Sequence, residues 1–264
     1  ELNQEDYIIS LANKFGTKNS NLVSKPLPSG IDGLENCKEK TNRPIQHLIG
    51  SLLYIANSTR PDILAAVSIL ARYTNQQSEL LWKYSKQVLK YLQSTYKESL
   101  ALTGSGSIQM ETYADADFAS DPNSRKSQTG FLIKVFGSPV SWYSRKQSTV
   151  SASSTEAEYV ALASAASHTY GLIQLLEDFM VKVSEPVPIY EDNQPCIQIA
   201  LGSSKIKHLD VKLHFIRDLI RKIITITHID SRKQIADCLT KANPKMTFNV
   251  IRKGLGLTKN QGKC

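Results

Sequence analysis

Apolar residues recur at helical spacing through the first hundred positions and at alternate positions through much of the remaining chain. Tyr7, Leu11 and Phe15 share one helix face at about 100° per residue. His47 to Ala56 is strongly apolar, and Thr59-Arg-Pro-Asp62 places Pro61 in the first turn of a helix running through Ala65, Ile69 and Tyr73. Leu81, Tyr84, Val88, Tyr91 and Leu92 form a stripe over 78–94, with Lys83, Lys86 and Lys90 outside it. Residues 19–44, rich in Asn, Ser, Pro, Lys and Gly, read as a loop.

The pattern changes after a Gly/Ser joint at 103–107. From 111 to 118 Tyr113, Asp115 and Asp117 alternate with Ala114, Ala116 and Phe118, which predicts a strand. Residues 131–136 and 140–144 predict two more, completing a meander. A helix opens at Ser151-Ala-Ser-Ser-Thr-Glu-Ala-Glu-Tyr159, a strand covers 187–191, and a short helix starts at Asp192. A basic amphipathic helix over 208–222, a strand over 223–229 and a final helix over 234–241 come next. The predicted order is βββαβα, basic helix, βα. It divides the chain into a mainly helical segment 1–107, an α/β domain 108–242 and a basic tail 243–264.

The 264 residues are 41% apolar, an ordinary globular value, and no apolar run is long enough to span a membrane. Cys37, Cys196, Cys238 and Cys264 lack metal-ligand spacing and disulfide-framework spacing, which fits a reducing compartment. The chain begins without Met, as a piece excised from a longer chain would. Of the net charge of +8, residues 203–263 carry +10 (14 Lys and Arg against 4 Asp), so the remainder sums to −2. A basic end on a near-neutral body suits a polyanion, nucleic acid above all.

Asp is depleted in strands, so Asp115 and Asp117 on one strand face leave two readings. One is a solvated edge strand running into the Asp-rich turn at 120–123; the other is a cation site. Ser153 and Glu156 make a capping box, and Glu158, about 200° away around the helix, stays free of it. Asp192 stands at a strand-to-helix junction, where it either caps the helix or projects from the sheet edge. Asp237 falls in the first turns of the last helix. Four carboxylates converging on one sheet edge need cations among them. Mg²⁺ prefers such oxygen ligands, and two ions clamp the attacking and leaving oxygens of a phosphoryl displacement. That pattern reads as a metal-dependent phosphodiesterase.

Several segments are specific enough to carry a resemblance: Tyr-Ala-Asp-Ala-Asp-Phe (113–118), Ser-Arg-Lys-Ser-Gln-Thr-Gly (124–130), the run 140–162 with its Ser-Ser-Thr-Glu-Ala-Glu-Tyr, Tyr-Glu-Asp-Asn-Gln (190–194), Lys-His-Leu-Asp-Val-Lys-Leu-His-Phe-Ile-Arg (207–217) and Gln-Ile-Ala-Asp-Cys-Leu-Thr-Lys (234–241). They resemble the type 1 ribonuclease H domain at the C-terminus of copia-type LTR retrotransposon polyproteins. Residues 48–54, 59–63 and 88–92 resemble the connection segment that precedes it. The resemblance implies a ribonuclease H-like five-stranded mixed sheet flanked by helices, after a mainly helical connection segment. It places an acidic, metal-binding quartet at Asp115, Glu158, Asp192 and Asp237, with Asp115 bridging two Mg²⁺ ions for which Mn²⁺ substitutes. The implied reaction is endonucleolytic hydrolysis of the RNA strand of an RNA–DNA hybrid to a 3′-hydroxyl and a 5′-phosphate. Asn193 and Gln194 are implied minor-groove contacts, and Arg145, Lys146, Lys207 and Lys212 phosphate contacts. The implied partners are the hybrid and an upstream reverse transcriptase polymerase domain, without a membrane, in a cytoplasmic retroelement particle or the nucleus.

The chain departs from the wider pattern at Asp117, which has no counterpart in the quartet, and at His228, which falls in a predicted strand rather than a glycine-rich loop. The polymerase's Tyr-x-Asp-Asp is absent. A non-catalytic, nucleic-acid-binding or polymerase-scaffolding module is the alternative reading.

Overall fold

The computed structural model describes every residue except 19, 22, 29–30, 32, 36, 38, 105–108, 203–209, 243–247, 249–251 and 260–264, and only the backbone of 210–213. The expected Lys207 contact lies outside the described residues, as does the side chain of Lys212. The chain forms two compact units, Glu1–Leu102 with Lys241–Cys264, and Thr103–Thr240.

The first unit is built on helices α1 (Glu5–Lys14), α2 (Ile45–Ser58), α3 (Leu64–Ala71) and α4 (Glu79–Ser94). The predicted Ser78 start is a true N-cap: its side chain accepts the Leu81 N–H. Pro61 opens a 3-10 turn, Pro61–Ile63, rather than α3 itself. At that turn Arg60, 1% exposed, donates through Nε and Nη2 to both oxygens of Asp62, at 2.9 and 2.8 Å. Tyr91 donates to the same carboxylate at 2.5 Å. The segment read as a basic tail contributes a strand, β7 (Leu257–Lys259), antiparallel to β1 (Glu98–Leu100). Arg252 donates to Glu98 at 2.7 Å and to the Tyr91 hydroxyl at 3.2 Å.

The second unit holds a five-stranded sheet in the order β4-β3-β2-β5-β6. Its strands are β2 (Met110–Asp117), β3 (Gln128–Val135), β4 (Ser138–Lys146), β5 (Val187–Glu191) and β6 (Ile224–His228). β2, β3 and β4 pair antiparallel, while β2–β5 and β5–β6 pair parallel. This is the five-stranded mixed sheet expected. The β3–β4 hairpin turns on Phe136 and Gly137, both at positive φ (52° and 73°), the two-residue geometry that matches strand twist. Helix α5 (Ser154–Asp178) lies on β2 and β3, and the fully buried Ala157, Ala161, Ala165 and Ala166 let it approach closely. Helices α6 (Gln194–Ala200) and α7 (Asp210–Ile220) pack with it. Met110, Phe131, Tyr159, Leu162, Ile189 and Ile216 belong to the core between them.

The expected final helix is instead a 3-10 turn, Ile235–Leu239. Gln234 explains the difference: its side chain donates to Ala114 O at 2.9 Å and accepts the Ala236 N–H, tying the turn to β2. The turn then sits so close to β3 that a Cβ on Gly130 would lie 2.7 Å from Thr240 Cγ2 and 2.9 Å from Leu239 Cβ. Gly130→Ala therefore forces the turn outward and is expected to cost about 1–3 kcal/mol. Urea unfolding followed by tryptophan fluorescence reads that loss; an unchanged midpoint would show the turn to be freely displaceable.

Candidate metal centre

The parallel β2–β5 register pairs Tyr113 with Tyr190. Two residues further on, Asp115 and Asp192 come level at the carboxyl ends of adjacent parallel strands, where α/β sheets bind ligands. Tyr113 and Tyr190 pack against each other one pleat back, with ring centroids 4.9 Å apart and the rings tilted by 31°. The α6 cap is Asn193, whose Oδ1 accepts the Cys196 N–H at 2.9 Å. Asp192 is thus released from capping.

Glu158 reaches the same edge from α5. Ser153 accepts the Glu156 N–H at 3.1 Å and Glu156 accepts the Ala152 N–H at 2.8 Å, so the capping register leaves Glu158 out. Ligand oxygens of Asp115, Glu158 and Asp192 all lie within 4.8 Å of one another. Asp115 and Glu158 are 5% and 8% exposed. Asp237 and Asp117 fall outside this group, among the described residues. Asp237 is half-buried on the 3-10 turn, and the backbone carbonyl of Asp237 accepts from Thr240 Oγ1 at 3.0 Å.

Two residues that sequence reasoning passed over belong to the site. Thr240 Oγ1 donates to Asp115 Oδ2 at 2.6 Å. Only the fold announces this contact, since the partners stand 125 residues apart. Glu191 is fully buried beside the group, and its Oε1 accepts the Asn193 N–H at 3.0 Å. The alternation Val187, Ile189, Glu191 was the available signal: a carboxylate on the face of a strand whose other members are core.

The electrostatics are those of crowded, buried carboxyl groups. Burial first, then Asp115, Glu191 and Asp192, hold the Glu158 carboxyl well above the usual range. Burial also raises Glu191, with Asp115 and Asp192 adding to it. Glu158 Oε2 and Glu191 Oε2 are buried without a hydrogen-bond partner among the described residues. An all-oxygen donor set with orphaned buried oxygens fits a hard divalent cation. Substituting Thr240 by Val removes an outer-shell donor at constant shape. Such losses cost about 10–100-fold in metal affinity or activity. A calorimetric Mn²⁺ titration checks this: weaker binding by Thr240→Val is expected, and an unchanged affinity would show that Thr240 does not support the site.

Among the predicted contact residues, Arg145 is exposed, and Lys146 is held by Asp121 at 3.0 Å. Gln194 is exposed at the start of α6, and the Asn193 carbonyl oxygen is engaged in the cap. A groove of about 760 Å³ lies beside Arg145 and Lys146 and is also lined by Tyr143, Ser164, His168 and Phe215; none of the clustered carboxylates lines it. No helix of the described residues is long and apolar enough to cross a membrane.

No family model matches the chain. It is 33% identical over 271 residues to the retrovirus-related Pol polyprotein from transposon TNT 1-94 of Nicotiana tabacum, covering 98% of this chain and 20% of that protein. It is 30% identical over 265 residues to the corresponding polyprotein from transposon RE1 of Arabidopsis thaliana, covering 98% and 18%. An RNase H1 isolated from compost aligns with 50% of this chain and 92% of its own at 21% identity, with a TM-score of 0.40. The chain spans about a fifth of the length of these curated relatives. Along nearly all of its residues, then, the chain is similar to one stretch of the retrovirus-related Pol polyproteins of copia-type transposons.

Proposed function

We propose that residues 103–240 form a ribonuclease H that hydrolyses the RNA strand of RNA–DNA hybrids, working with a polymerase domain elsewhere in the polyprotein. The observation that carries this reading is the convergence of Asp115, Glu158 and Asp192, two of them buried, at the carboxyl ends of β2 and β5. These three would hold divalent cations, Mg²⁺ or Mn²⁺, with Asp237 as the fourth carboxylate on the rim. When bound, two such cations activate the attacking water and stabilise the leaving 3′ oxygen.

The chain's own residues do the positioning. Thr240 fixes Oδ2 of Asp115. Gln234 ties the 3-10 turn bearing Asp237 to the two central strands through Ala114 O and Tyr190 O. Arg145, at the groove beside α5, supplies a phosphate contact that sets register without reading sequence. Gln194, exposed next to Asp192, is placed to meet the 2′-hydroxyls that separate RNA from DNA. Hydrolysis leaves a 3′-hydroxyl and a 5′-phosphate.

The test labels each strand of a hybrid separately and runs duplex RNA and duplex DNA beside it. Cleavage confined to the RNA of the hybrid supports the reading. Equal cleavage of duplex RNA, or of the DNA strand, would contradict it.

A further inference from the structure

Glu191 takes no part in the chemistry above, yet it is the most buried carboxylate at the site, with 0% of its surface exposed. It closes an inward-facing series in which the two earlier members, Val187 and Ile189, belong to the core. An apolar residue is the default for such a position, because a buried carboxyl loses its hydration. Its two oxygens are unequal: Oε1 accepts the Asn193 N–H at 3.0 Å, while Oε2 has no partner among the described residues. The Asp192 N–H also bears on this carboxylate.

The backbone on either side is pinned. Glu191 O accepts the Ile229 N–H at 3.1 Å, and Glu191 pairs with His228 across β5 and β6. On the other side Asn193 Oδ1 holds the first turn of α6. Asp192 is the single residue between these two anchors. The hydrogen bond from Asn193 N to Glu191 Oε1 spans it like a staple.

We infer that Glu191 is a positioning residue: its Oε1 holds the β5–α6 turn in the shape that aims Asp192 at the cation site. The inference rests on the metal-centre reading but not on the identity of the nucleic acid cut. Its oxygen acts as an acceptor, so an amide of the same length replaces it and a hydrocarbon does not. The burial of the unpaired second oxygen is itself costly, so its removal offsets the loss of the Oε1 bond and the fold is expected to keep its stability.

The experiment compares the full chain with Glu191→Gln and Glu191→Leu by calorimetric Mn²⁺ titration and by thermal unfolding in chelator, with hybrid cleavage run in parallel. Glu191→Leu is expected to bind Mn²⁺ about ten-fold more weakly, with an unchanged or raised thermal midpoint. Glu191→Gln is expected to stay within about two-fold of the parent in affinity, restoring what Leu loses. Unchanged Mn²⁺ affinity in Glu191→Leu would overturn the inference. So would a Gln variant as weak as the Leu variant, which would make Glu191 a cation ligand. A lowered midpoint in Glu191→Leu with affinity intact would mark a purely structural brace, also against it. If the parent cuts no hybrid while the Mn²⁺ pattern holds, the inference stands and the ribonuclease reading falls.

Discussion

Glu158→Gln is expected to lose more than about 100-fold of hybrid cleavage, beyond the ~10–100-fold that losing a group behind a ligand costs, because Glu158 is itself one of the three carboxylates that would hold the cation, while making the metal-free protein more stable. The two effects share one cause. Glu158 is buried among Asp115, Glu191 and Asp192, so the folded state holds its proton far above the ordinary value of 4.5. Above that pH the unfolded chain has released the proton and the fold has not. Stability therefore falls as pH rises, since its slope follows the protons bound by the unfolded state minus those bound by the folded state. Gln carries no such proton and removes that slope. At pH 8 in chelator the variant should gain on the order of 1 kcal/mol, a rise of about 2–4 °C in midpoint. Near pH 4 the two proteins should melt together. A lower midpoint for the variant at pH 8 would show that Glu158 contributes packing rather than strain.

The largest stability effect belongs to the first unit. Asp62→Ala leaves the guanidinium of Arg60 buried without its carboxylate, and breaking such a pair costs about 3–5 kcal/mol. The loss spreads, because Tyr91 donates to Asp62 and Arg252 to Tyr91, so the contact that brings the C-terminal segment to α4 is weakened with it. Replacing both charges, Arg60→Met with Asp62→Leu, should recover most of the loss, since the pair is costly to break and not necessarily better than an apolar filling. Trp82, buried on α4, reports this unit in a chain whose other tryptophan, Trp142, is changed to Phe. A single and a double variant that unfold at the same urea concentration would contradict this account.

Much of the second unit could be read from its residues. The alternation at 113–118 gives β2 and sets Asp115 on one face with Tyr113, the face that the parallel register then brings to Asp192. The Ser153–Glu156 spacing gives the start of α5 and frees Glu158, and the structure shows both contacts. What escaped depends on distant partners. The cap after β5 is Asn193 rather than Asp192, a choice between neighbours decided by the turn that Glu191 holds. The last segment reads as an α-helix because its spacing allows one, but the Gln234 side chain and the close face at Gly130 draw it into a 3-10 turn. Thr240 carries no local mark of its bond to Asp115. In the first unit, Thr59-Arg-Pro-Asp62 reads as a helix start, and its buried ion pair comes only from packing against α4. The pairing of β7 with β1 joins segments more than 150 residues apart, beyond what any local pattern signals.

The most direct test of the metal centre is cleavage of an end-labelled RNA–DNA hybrid in Mg²⁺, in Mn²⁺ and in chelator, by the chain and by Asp192→Asn. Asn keeps the size of Asp192 and removes its charge. The account predicts that the chain cuts the RNA strand in either metal and not in chelator, and that Asp192→Asn, folded and still binding hybrid, cuts in neither. Undiminished cutting by Asp192→Asn, or cutting that survives the chelator, would contradict it.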